Sequence, residues 1–446
     1  MKKIVASVGL VALGTSGLYS APISGLTEEG GKNWSVAATL RGFYDDNINT
    51  APSGPGKVDA FGFEISPSAN YGLQLPQTTL TLAYIYSFKY YDHRPEGDSE
   101  KYDQQHVFNA AMEHSFSERY KLSVHDSFAI GQEPDVLRSQ NSFSTFQRIS
   151  GDNIRNYGAI VFNAELTRLL GLEIGYDNSF YDYAQNGVNF DLAGNPIPSN
   201  SGLLDRIENA VHLDTRWMFC PETVGVIGYR FRDISYTGDE LIGFTLGPGG
   251  VPIPVNSDDR NFRQHSFYVG ADHTFNPNLS GAVRAGASYV DYYNETSGSS
   301  SDWGPYALAS LRYTYAPQSY AEIGLSQDFS ATDVTGVVFG GPGGTNVLNS
   351  SFTSSQQATV LFGSVNHQFT GQLRGSVVGQ FQYSSFRGGS VDGDSERFYL
   401  VGVNLTYQFT PHFSSEIGYN FDKLDSDIAG RTFDRNRVYI GVTGRY

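Results

Sequence analysis

Long runs of alternating apolar and polar residues constrain the fold of this chain more than any other feature. One run places apolar or aromatic side chains at every second position: Tyr399, Val401, Val403, Leu405, Tyr407 and Phe409. Similar runs begin at Leu80, Leu279 and Phe413. In a β-strand, alternate side chains face opposite sides. Each run exceeds the ~5–6 residues of a typical soluble strand and reaches the ~9–11 that cross a bilayer at a tilt.

Short turn-forming units recur between these runs. Each has an aromatic residue, then Pro, Gly or Glu two positions later, as in residues 116–120, 219–223, 275–279, 315–319, 369–373 and 409–413. Looser versions lie near residues 75 and 169. Pro and Gly reverse the chain without a ladder hydrogen bond, and an aromatic ring beside the bend suits a membrane interface.

The intervals between successive turns predict the architecture. Each interval holds two strands and one longer Gly-, Ser- and Asp-rich connection, such as 45–58, 238–259 or 331–350. Two strands precede the first turn, the first of them at about 34–44, and two follow the last turn. We therefore expect an all-β transmembrane antiparallel up-and-down barrel of about eighteen strands. Short periplasmic turns would alternate with long external loops, and both termini would be periplasmic.

The two ends of the chain indicate export and membrane insertion. Lys2 and Lys3 precede an apolar stretch and small residues up to Ala21, which is the layout of a secretory signal peptide. We expect a signal peptide at 1–21, a short segment at 22–33 and one barrel at 34–446. The final strand alternates and stops at Tyr446. With Val442, Tyr446 resembles the signal by which the barrel-assembly machinery recognises its substrates.

Composition excludes several other classes of protein. Without Lys2 and Lys3, 28 basic residues face 46 acidic ones, a net charge of −18, which makes nucleic acid an unsuitable partner. The single cysteine, Cys220, excludes a disulfide framework or a Cys-based metal site. An apolar fraction of 39% is too low for a helical membrane protein. The expected surroundings are instead the lipid bilayer and lipopolysaccharide of a bacterial outer membrane, where a homo-oligomer would also be compatible with the sequence.

A family resemblance lies in the first hairpin. The segments 43–48 (FYDDNI) and 66–71 (SPSANY) resemble the opening of the family of putative outer-membrane beta-barrel porins. Many members are identified only as outer membrane beta-barrel proteins. Relatives occur beside exopolysaccharide-export systems, so the resemblance implies transport without fixing a substrate. It supplies no catalytic residue.

Charged residues on the polar side of the strands are candidates for lining the lumen: His212, Asp214, Arg230, Arg232, Arg284, Arg312, Glu322 and Arg374. A bend at Pro317 predicts that Arg312 pairs with Glu322. A bend centred on residue 222 predicts that Asp214 pairs with Arg230 and that His212 pairs with Arg232. The loop 132–152 is a candidate constriction through Glu133, Asp135, Arg138 and Arg148. Loops 238–260 and 331–351 have an equal claim.

Signs of enzyme chemistry are weak. The glycine-rich segments 247–250 and 340–344 lack the Lys of a phosphate-binding loop, and no nucleophile elbow is present. His125 and Asp126 would face opposite sides, as would Asp272 and His273. Only His212 and Asp214 share a face, and no serine can be assigned to them. The acidic segments 392–396 and 422–427 fit solvated loops better than a calcium site. We therefore expect a protein that is neither an enzyme nor dependent on a cofactor.

The favoured function is a porin-like channel for passive diffusion of small hydrophilic solutes. One alternative is a barrel component of exopolysaccharide export, and another is a structural or adhesive outer-membrane protein. Export of a sugar polymer would use aromatic rings on the lumen face. The sequence places such rings at scattered positions: Phe43, Tyr157, Tyr268, Phe398 and Tyr439.

Overall fold

A computed structural model describes residues 32–446, apart from 53, 55, 96–99, 133–150, 188, 191–195, 247–250, 296–300, 339–348, 390 and 429. Eighteen long strands form one sheet, and they are numbered here in chain order. They are β1 (Trp34–Asp45), β2 (Ala60–Gln74), β3 (Thr78–Tyr91), β4 (Tyr102–Ser115), β5 (Tyr120–Gly131), β6 (Asn153–Glu165), β7 (Leu170–Tyr183), β8 (Arg206–Cys220), β9 (Thr223–Tyr236), β10 (Phe262–Asn276), β11 (Leu279–Asp291), β12 (Ser301–Ala316), β13 (Ser319–Ser330), β14 (Ser355–Gln368), β15 (Leu373–Arg387), β16 (Ser395–Thr410), β17 (Phe413–Ser426) and β18 (Phe433–Arg445).

The sheet closes on itself. Each strand pairs antiparallel with its neighbours in the chain, and β18 pairs with β1 from Ala37↔Arg445 to Asp45↔Arg437. Two backbone hydrogen bonds between Val36 and Tyr446 extend this seam. The rings of Trp34 and Tyr446 lie 5.9 Å apart, with the Lys32 ammonium 4.0 Å from the Tyr446 ring centroid. The prediction of a closed antiparallel barrel of eighteen strands is confirmed.

The connections alternate in length, as predicted. Eight tight turns lie at 75–77, 116–119, 166–169, 221–222, 277–278, 317–318, 369–372 and 411–412. We call this end of the barrel the turn end, and the opposite end, which carries the nine longer connections, the loop end. Three small hairpins lie within the longer connections: Asn189–Phe190 with Pro196–Ile197, Leu241–Leu246 with Pro252–Asn256, and Thr335–Val338 with Asn349–Phe352. One short helix, α1 (Asn200–Leu204), begins after Ser199, whose side chain accepts a hydrogen bond from the Gly202 amide.

The two faces of the barrel wall differ in chemistry. The outward set is apolar and exposed, as at Phe219 (71% exposed), Ile227 (67%) and Ile440 (63%). The inward set is largely polar, and many of its members are buried. At the turn end, exposed outward rings line up beside the turns, namely Phe116, Phe219, Phe275, Phe369 and Phe409. Within the described residues, no helix is both long and apolar enough to cross a bilayer.

One predicted strand register is wrong. Arg312 does lie opposite Glu322, but His212 lies opposite Arg230 and Asp214 lies opposite Gly228. The prediction placed the bend at residue 222. The two-residue turn is centred between Pro221 and Glu222, and the ladder shifts register between Met218 and Cys220. The same bulge lies in β12 beside Pro317, where centring the bend on the proline gave the observed register. Placing the bend at residue 222 and not at Pro221 therefore moved each expected partner by two positions.

Candidate functional site

The predicted lumen residues lie mainly on one wall of the barrel. Seven of the eight occupy strands β8 to β13, while Arg374 lies apart on β15. Seven are inward by their alternation with exposed apolar neighbours, and Arg374 shares the inward phase of Gln382 and Ser384 on β15. The predicted placement therefore brings most of these side chains together, and the partners that neutralise them are largely residues that sequence reasoning missed.

Ion pairs run across the strands of this wall. The Asp272 carboxylate on β10 forms ion pairs with two arginines. Its Oδ1 lies 2.8 Å from Arg284 Nη2, and its Oδ2 lies 2.9 Å from Arg216 Nη2. Arg216 also reaches Glu173 on β7, at 3.2 Å. Arg216, Asp272 and Glu173 were not predicted, although each shares the inward phase of its strand. Two guanidinium groups therefore compensate two carboxylates across five strands.

His212 occupies a gap left by a glycine on the adjacent strand. A Cβ at Gly175 would lie 1.9 Å from His212 Cε1, so only glycine leaves room for the imidazole against β7. His212 Nε2 lies 3.6 Å from Glu173 Oε1, and Nδ1 lies 3.9 Å from Asp177 Oδ2. Both distances are too long for direct hydrogen bonds. The ring therefore faces two carboxylates without a direct bond to either.

Asp214 is held by an aromatic partner. The Tyr268 hydroxyl donates to Asp214 Oδ1 at 2.5 Å, and a Cβ at Gly228 would clash with both groups. Tyr268 stacks on Tyr306 with ring centroids 4.9 Å apart. His212 and Asp214 share the inward face, as predicted, but the Asp214 carboxylate bonds to Tyr268. The arrangement positions a carboxylate in the wall and does not resemble a nucleophile–base pair.

Arg230 and Arg232 converge on β13. Arg232 Nη2 lies 3.0 Å from Asp328 Oδ2, and Arg230 Nη1 lies 4.0 Å from the same oxygen. Arg232 also donates to the Phe329 carbonyl at 2.9 Å. Because β9 and β13 are not adjacent in the sheet, these contacts cross the inner surface of the barrel. Both guanidinium groups are therefore part of a packed wall.

A second group of ion pairs crosses the seam between β18 and β1. Arg41 bridges Glu64 at 2.7 Å and Glu416 at 2.6 Å. Nearer the loop end, Arg435 binds both carboxylate oxygens of Asp45, at 3.0 and 2.9 Å from its Nε. Opposite charges are thus paired on both sides of the lumen, which keeps a polar interior compatible with stable strand pairing.

Charges at the turn end are more accessible. Arg312 lies 3.5 Å from Glu322, and the Arg312 side chain is 50% exposed. Arg374 is exposed and forms no ion pair with a described residue. These two arginines are the predicted candidates best placed to act on a solute in the lumen.

Described parts of the loops contact one another at the loop end, and Arg260 links three of these loops. Arg260 is fully buried, and its guanidinium donates to the carbonyls of Thr353 at 3.1 Å, Leu203 at 3.0 Å and Thr332. The group lies 4.3 Å from the Tyr236 ring centroid. Burial lowers the pKa of the Arg260 guanidinium. The loops 184–205, 237–261 and 331–354 therefore share one buried hydrogen-bond donor.

Arg431 makes a second connection between loops. It reaches Glu396 at 2.5 Å and Asp333 at 3.0 Å, and all three side chains are at most 8% exposed. Burial opposes the charge on Arg431, but Asp333 and Glu396 outweigh it and hold its pKa above the usual value. Strand Leu241–Leu246 also contacts strand Asn349–Phe352. Loops 238–260 and 331–351, both proposed as constrictions, thus reach each other at the loop end.

The remaining predicted residues lie outside the described part of the chain, in other ion pairs, or at the seam. Glu133, Asp135, Arg138 and Arg148 fall outside the described residues. The prediction that the acidic segments are solvated loops is wrong at Asp422, which is buried on β17 and bound to Arg437 at 2.6 Å. Asp425 is bound to Lys423 at 3.0 Å. Val442 and Tyr446 lie at the seam, where both are exposed. Of the five inward aromatic residues, Phe43 and Tyr439 lie opposite each other across the seam, whereas Tyr157, Tyr268 and Phe398 lie on other strands.

A closed antiparallel barrel with an apolar outer face, an aromatic girdle and a charge-paired interior defines a class of protein. It is an integral outer-membrane β-barrel with a polar lumen. The last part of the chain, residues 345–446, matches the model of the family described as Putative beta-barrel porin 2. The family resemblance is thereby confirmed, although over β14–β18 and not over the first hairpin.

Comparison with solved structures gives similarities at low sequence identity, and one of these structures is described as a porin. The chain is similar to OpdK of Pseudomonas aeruginosa with vanillate, at 11% identity and a TM-score of 0.42, over 93% of this chain and 99% of that one. OccAB3 of Acinetobacter baumannii gives 11% identity, a TM-score of 0.43 and coverage of 93% and 100%. A BenF-like porin from Pseudomonas fluorescens Pf-5 shows 11% identity and a TM-score of 0.43, over 92% of this chain and 98% of that one. No curated protein matches the sequence.

Proposed function

We propose that this barrel is a porin-like channel through which small hydrophilic solutes diffuse passively across the outer membrane. The observation that carries the proposal is the polar, charge-paired inner wall enclosed by an apolar outer face. Barrels of sixteen to eighteen strands are wide enough for an aqueous channel. In this proposal the lumen contacts the solutes that pass through it, and the outer face contacts lipid and lipopolysaccharide.

The orientation follows from the same features. The loop end would face the outside, while the turn end and the termini would face the periplasm. Tight turns face the periplasm in outer-membrane barrels. The exposed final strand with Val442 and Tyr446 would be the part that the barrel-assembly machinery recognises. Solutes would therefore pass the loop cluster around Arg260 first and the exposed arginines last.

Export of a polysaccharide is less well supported. Tyr157 donates to Asp177, Tyr268 bonds to Asp214, and Phe398 is buried beside Leu400. Rings engaged in this way offer few flat faces to a sugar. An enzymatic role lacks an arranged nucleophile and base. A channel whose specificity comes from charges fits the inner wall better than either alternative.

Planar-bilayer recording tests the proposal directly. Purified, folded protein should insert and produce discrete conductance steps, and liposomes containing it should swell in small sugars and amino acids at rates set by solute size. Folding should be verified by heat-modifiable gel migration. Absence of conductance from folded protein in both assays would contradict the channel and favour a structural or adhesive role.

A further inference from the structure

One carboxylate lies on the outward face, deep within the apolar band. On β5, Tyr120 and Ile130 are exposed outward, whereas Ser127 and Ala129 are buried on the inner face. Asp126 belongs to the outward set by this alternation. It lies six residues above Tyr120, the first residue of the strand. At ~3.3 Å per residue and a tilt of ~40°, this is about 15 Å into a band ~25 Å tall.

No other outward Asp, Glu, Lys or Arg in the described strands lies so deep. Those nearest in depth are Asp233 and Lys423, each ten residues above the turn end of its strand. Charges on the lipid face destabilise a barrel more strongly towards the middle of the bilayer. An ionisable side chain at this depth therefore indicates a surface that meets something other than lipid.

Asp126 is part of a larger polar group on β5 to β8. Asn156 donates to both Asp126 oxygens, at 3.3 and 3.1 Å. On the next two strands, Asn178 donates to Asn209 at 2.9 Å, and the Tyr176 hydroxyl donates to the same oxygen at 2.8 Å. All four of Asp126, Asn156, Asn178 and Asn209 are half-buried. We call these four residues the lateral polar patch.

Exposed apolar side chains surround the patch. Ile130 is 41% exposed, Ile160 46%, Ile174 42% and Val211 46%. A polar centre within an apolar rim is the arrangement by which membrane-embedded surfaces associate, since amide side chains hydrogen-bond across the contact. Lipid tails offer no such partner.

We propose that the lateral polar patch is the surface at which two copies of this chain dimerise, about a two-fold axis along the membrane normal between β6 and β7. Because such an axis is parallel to the membrane normal, residues that meet across it lie at the same depth in the two copies. Amide groups both donate and accept, so three asparagines complement their own copies. No outward Lys or Arg of the described strands lies at the depth of Asp126, so another face of the same chain offers it no cation. Asn156 on β6 and Asn178 on β7 flank this axis at nearly the same depth, so each meets the other across the contact, and Asn156 is also the donor to Asp126.

Disulfide cross-linking in native membranes tests the contact. In a Cys220→Ser background, Ile174→Cys should give an oxidised species of twice the mass. Ile417→Cys is the matched control, because it also lies four residues above the start of its strand, is 50% exposed, and is on the opposite side of the barrel. Equal cross-linking of the two variants, or none from Ile174→Cys, would overturn the proposal.

A second experiment tests the polar groups themselves. Native mass spectrometry of the wild-type protein in mild detergent should show dimers, and Asp126→Leu with Asn209→Leu should shift the population to monomers by at least tenfold. Asn436→Leu removes an outward amide on β18, far from the patch, and should leave the dimer intact. A wild-type monomer, or a dimer unaffected by the double substitution, would contradict the proposal. Neither result depends on whether the barrel conducts.

Discussion

At the loop end of the lumen, Phe262, Phe329 and Phe386 are fully buried, whereas at the turn end Arg312 and Arg374 are exposed. The charged groups differ in the same way. Arg260 and Arg431 are buried between loops, while Arg312 is half-exposed beside its partner. A charge that is buried and paired chiefly holds structure, because ions cannot contact it directly, and it acts on them only through its longer-range field. An exposed charge contributes little to stability but acts on passing ions. We therefore assign loop packing to one end and ion preference to the other.

The largest expected effect is on stability at the loop end. Arg431→Met removes the cation between Asp333 and Glu396 and leaves two buried carboxylates uncompensated. Breaking a buried ion pair costs about 3–5 kcal/mol. The urea midpoint of unfolding in lipid vesicles should fall accordingly. Lys423→Met is the control, because the Lys423–Asp425 pair is exposed and should contribute less than about 1 kcal/mol. Equal effects of the two substitutions would remove the distinction between buried and exposed pairs.

Arg260→Met should destabilise the packing of the loops more than it destabilises the barrel. Three carbonyls lose their common donor, which costs about 1–3 kcal/mol where the groups remain buried. A change of ~1.4 kcal/mol is tenfold in population, so limited proteolysis within 237–261 and 331–354 should accelerate about tenfold or more. Arg263→Met, in an exposed pair on the outer surface, should leave cleavage unchanged. Unaltered proteolysis of Arg260→Met would show that the loops are held by other contacts.

Substitutions in the wall between the two ends should change the ion preference of the channel. Arg230→Ala with Arg232→Ala leaves Asp328 without its cations. A unit charge ~8 Å from an ion in water contributes about 0.5 kcal/mol, of opposite sign for potassium and chloride, so losing two should raise the potassium-to-chloride permeability ratio about thirtyfold. Reversal potentials across a salt gradient measure this ratio. Because these groups are largely shielded from solvent, the shift should persist at 1 M salt, and its disappearance there would place them in open water.

The smallest effect is expected from the exposed charge at the turn end. Arg374→Gln removes one such charge and should raise the same permeability ratio about sixfold in 0.1 M salt. The Debye length falls from ~10 Å at 0.1 M to ~3 Å at 1 M, so the effect should vanish at high salt. Gln372→Ala, in the adjacent turn, is the uncharged control. A salt-independent shift for Arg374→Gln would mean that the two ends do not differ in exposure.

Local patterns were sufficient to predict the barrel. Strand alternation and the aromatic–Pro/Gly units depend on neighbours in the chain, so the turns and strands could be placed from residues such as Pro317 and Pro411. The register beside Pro221 was wrong because the bend was placed at residue 222 and not at the proline. The hairpin at Pro317 has the same bulge, and centring its bend on the proline gave the observed pairs. A displacement of the bend by one residue therefore changes which residues pair.

Only part of the ion-pair network on the inner wall was predicted from the sequence. The arginines were predicted as candidates, but Glu173, Asp177, Asp272 and Asp328 were missed. Glu173 lies between Leu172 and Ile174 and carried the same signal, whereas the other three each have a polar neighbour, namely Asn178, His273 and Gln327. The loop cluster had no comparable signal. Arg260 binds carbonyls in two other loops, up to 93 residues away, and such contacts depend on how the closed barrel brings the loops together.

The seam has a consequence for the order of folding. Seventeen of the eighteen strand pairings join neighbours in the chain and can form as local hairpins and their extensions. The pairing of β1 with β18 joins Ala37 to Arg445, so it can form only after the last strand has been synthesised. Loop-closure entropy makes this contact the slowest to find by chance. Because residues 433–446 supply all the seam partners of β1, including the bonds of Tyr446 to Val36, their removal should leave β1 with a free edge and trap the chain as an open sheet.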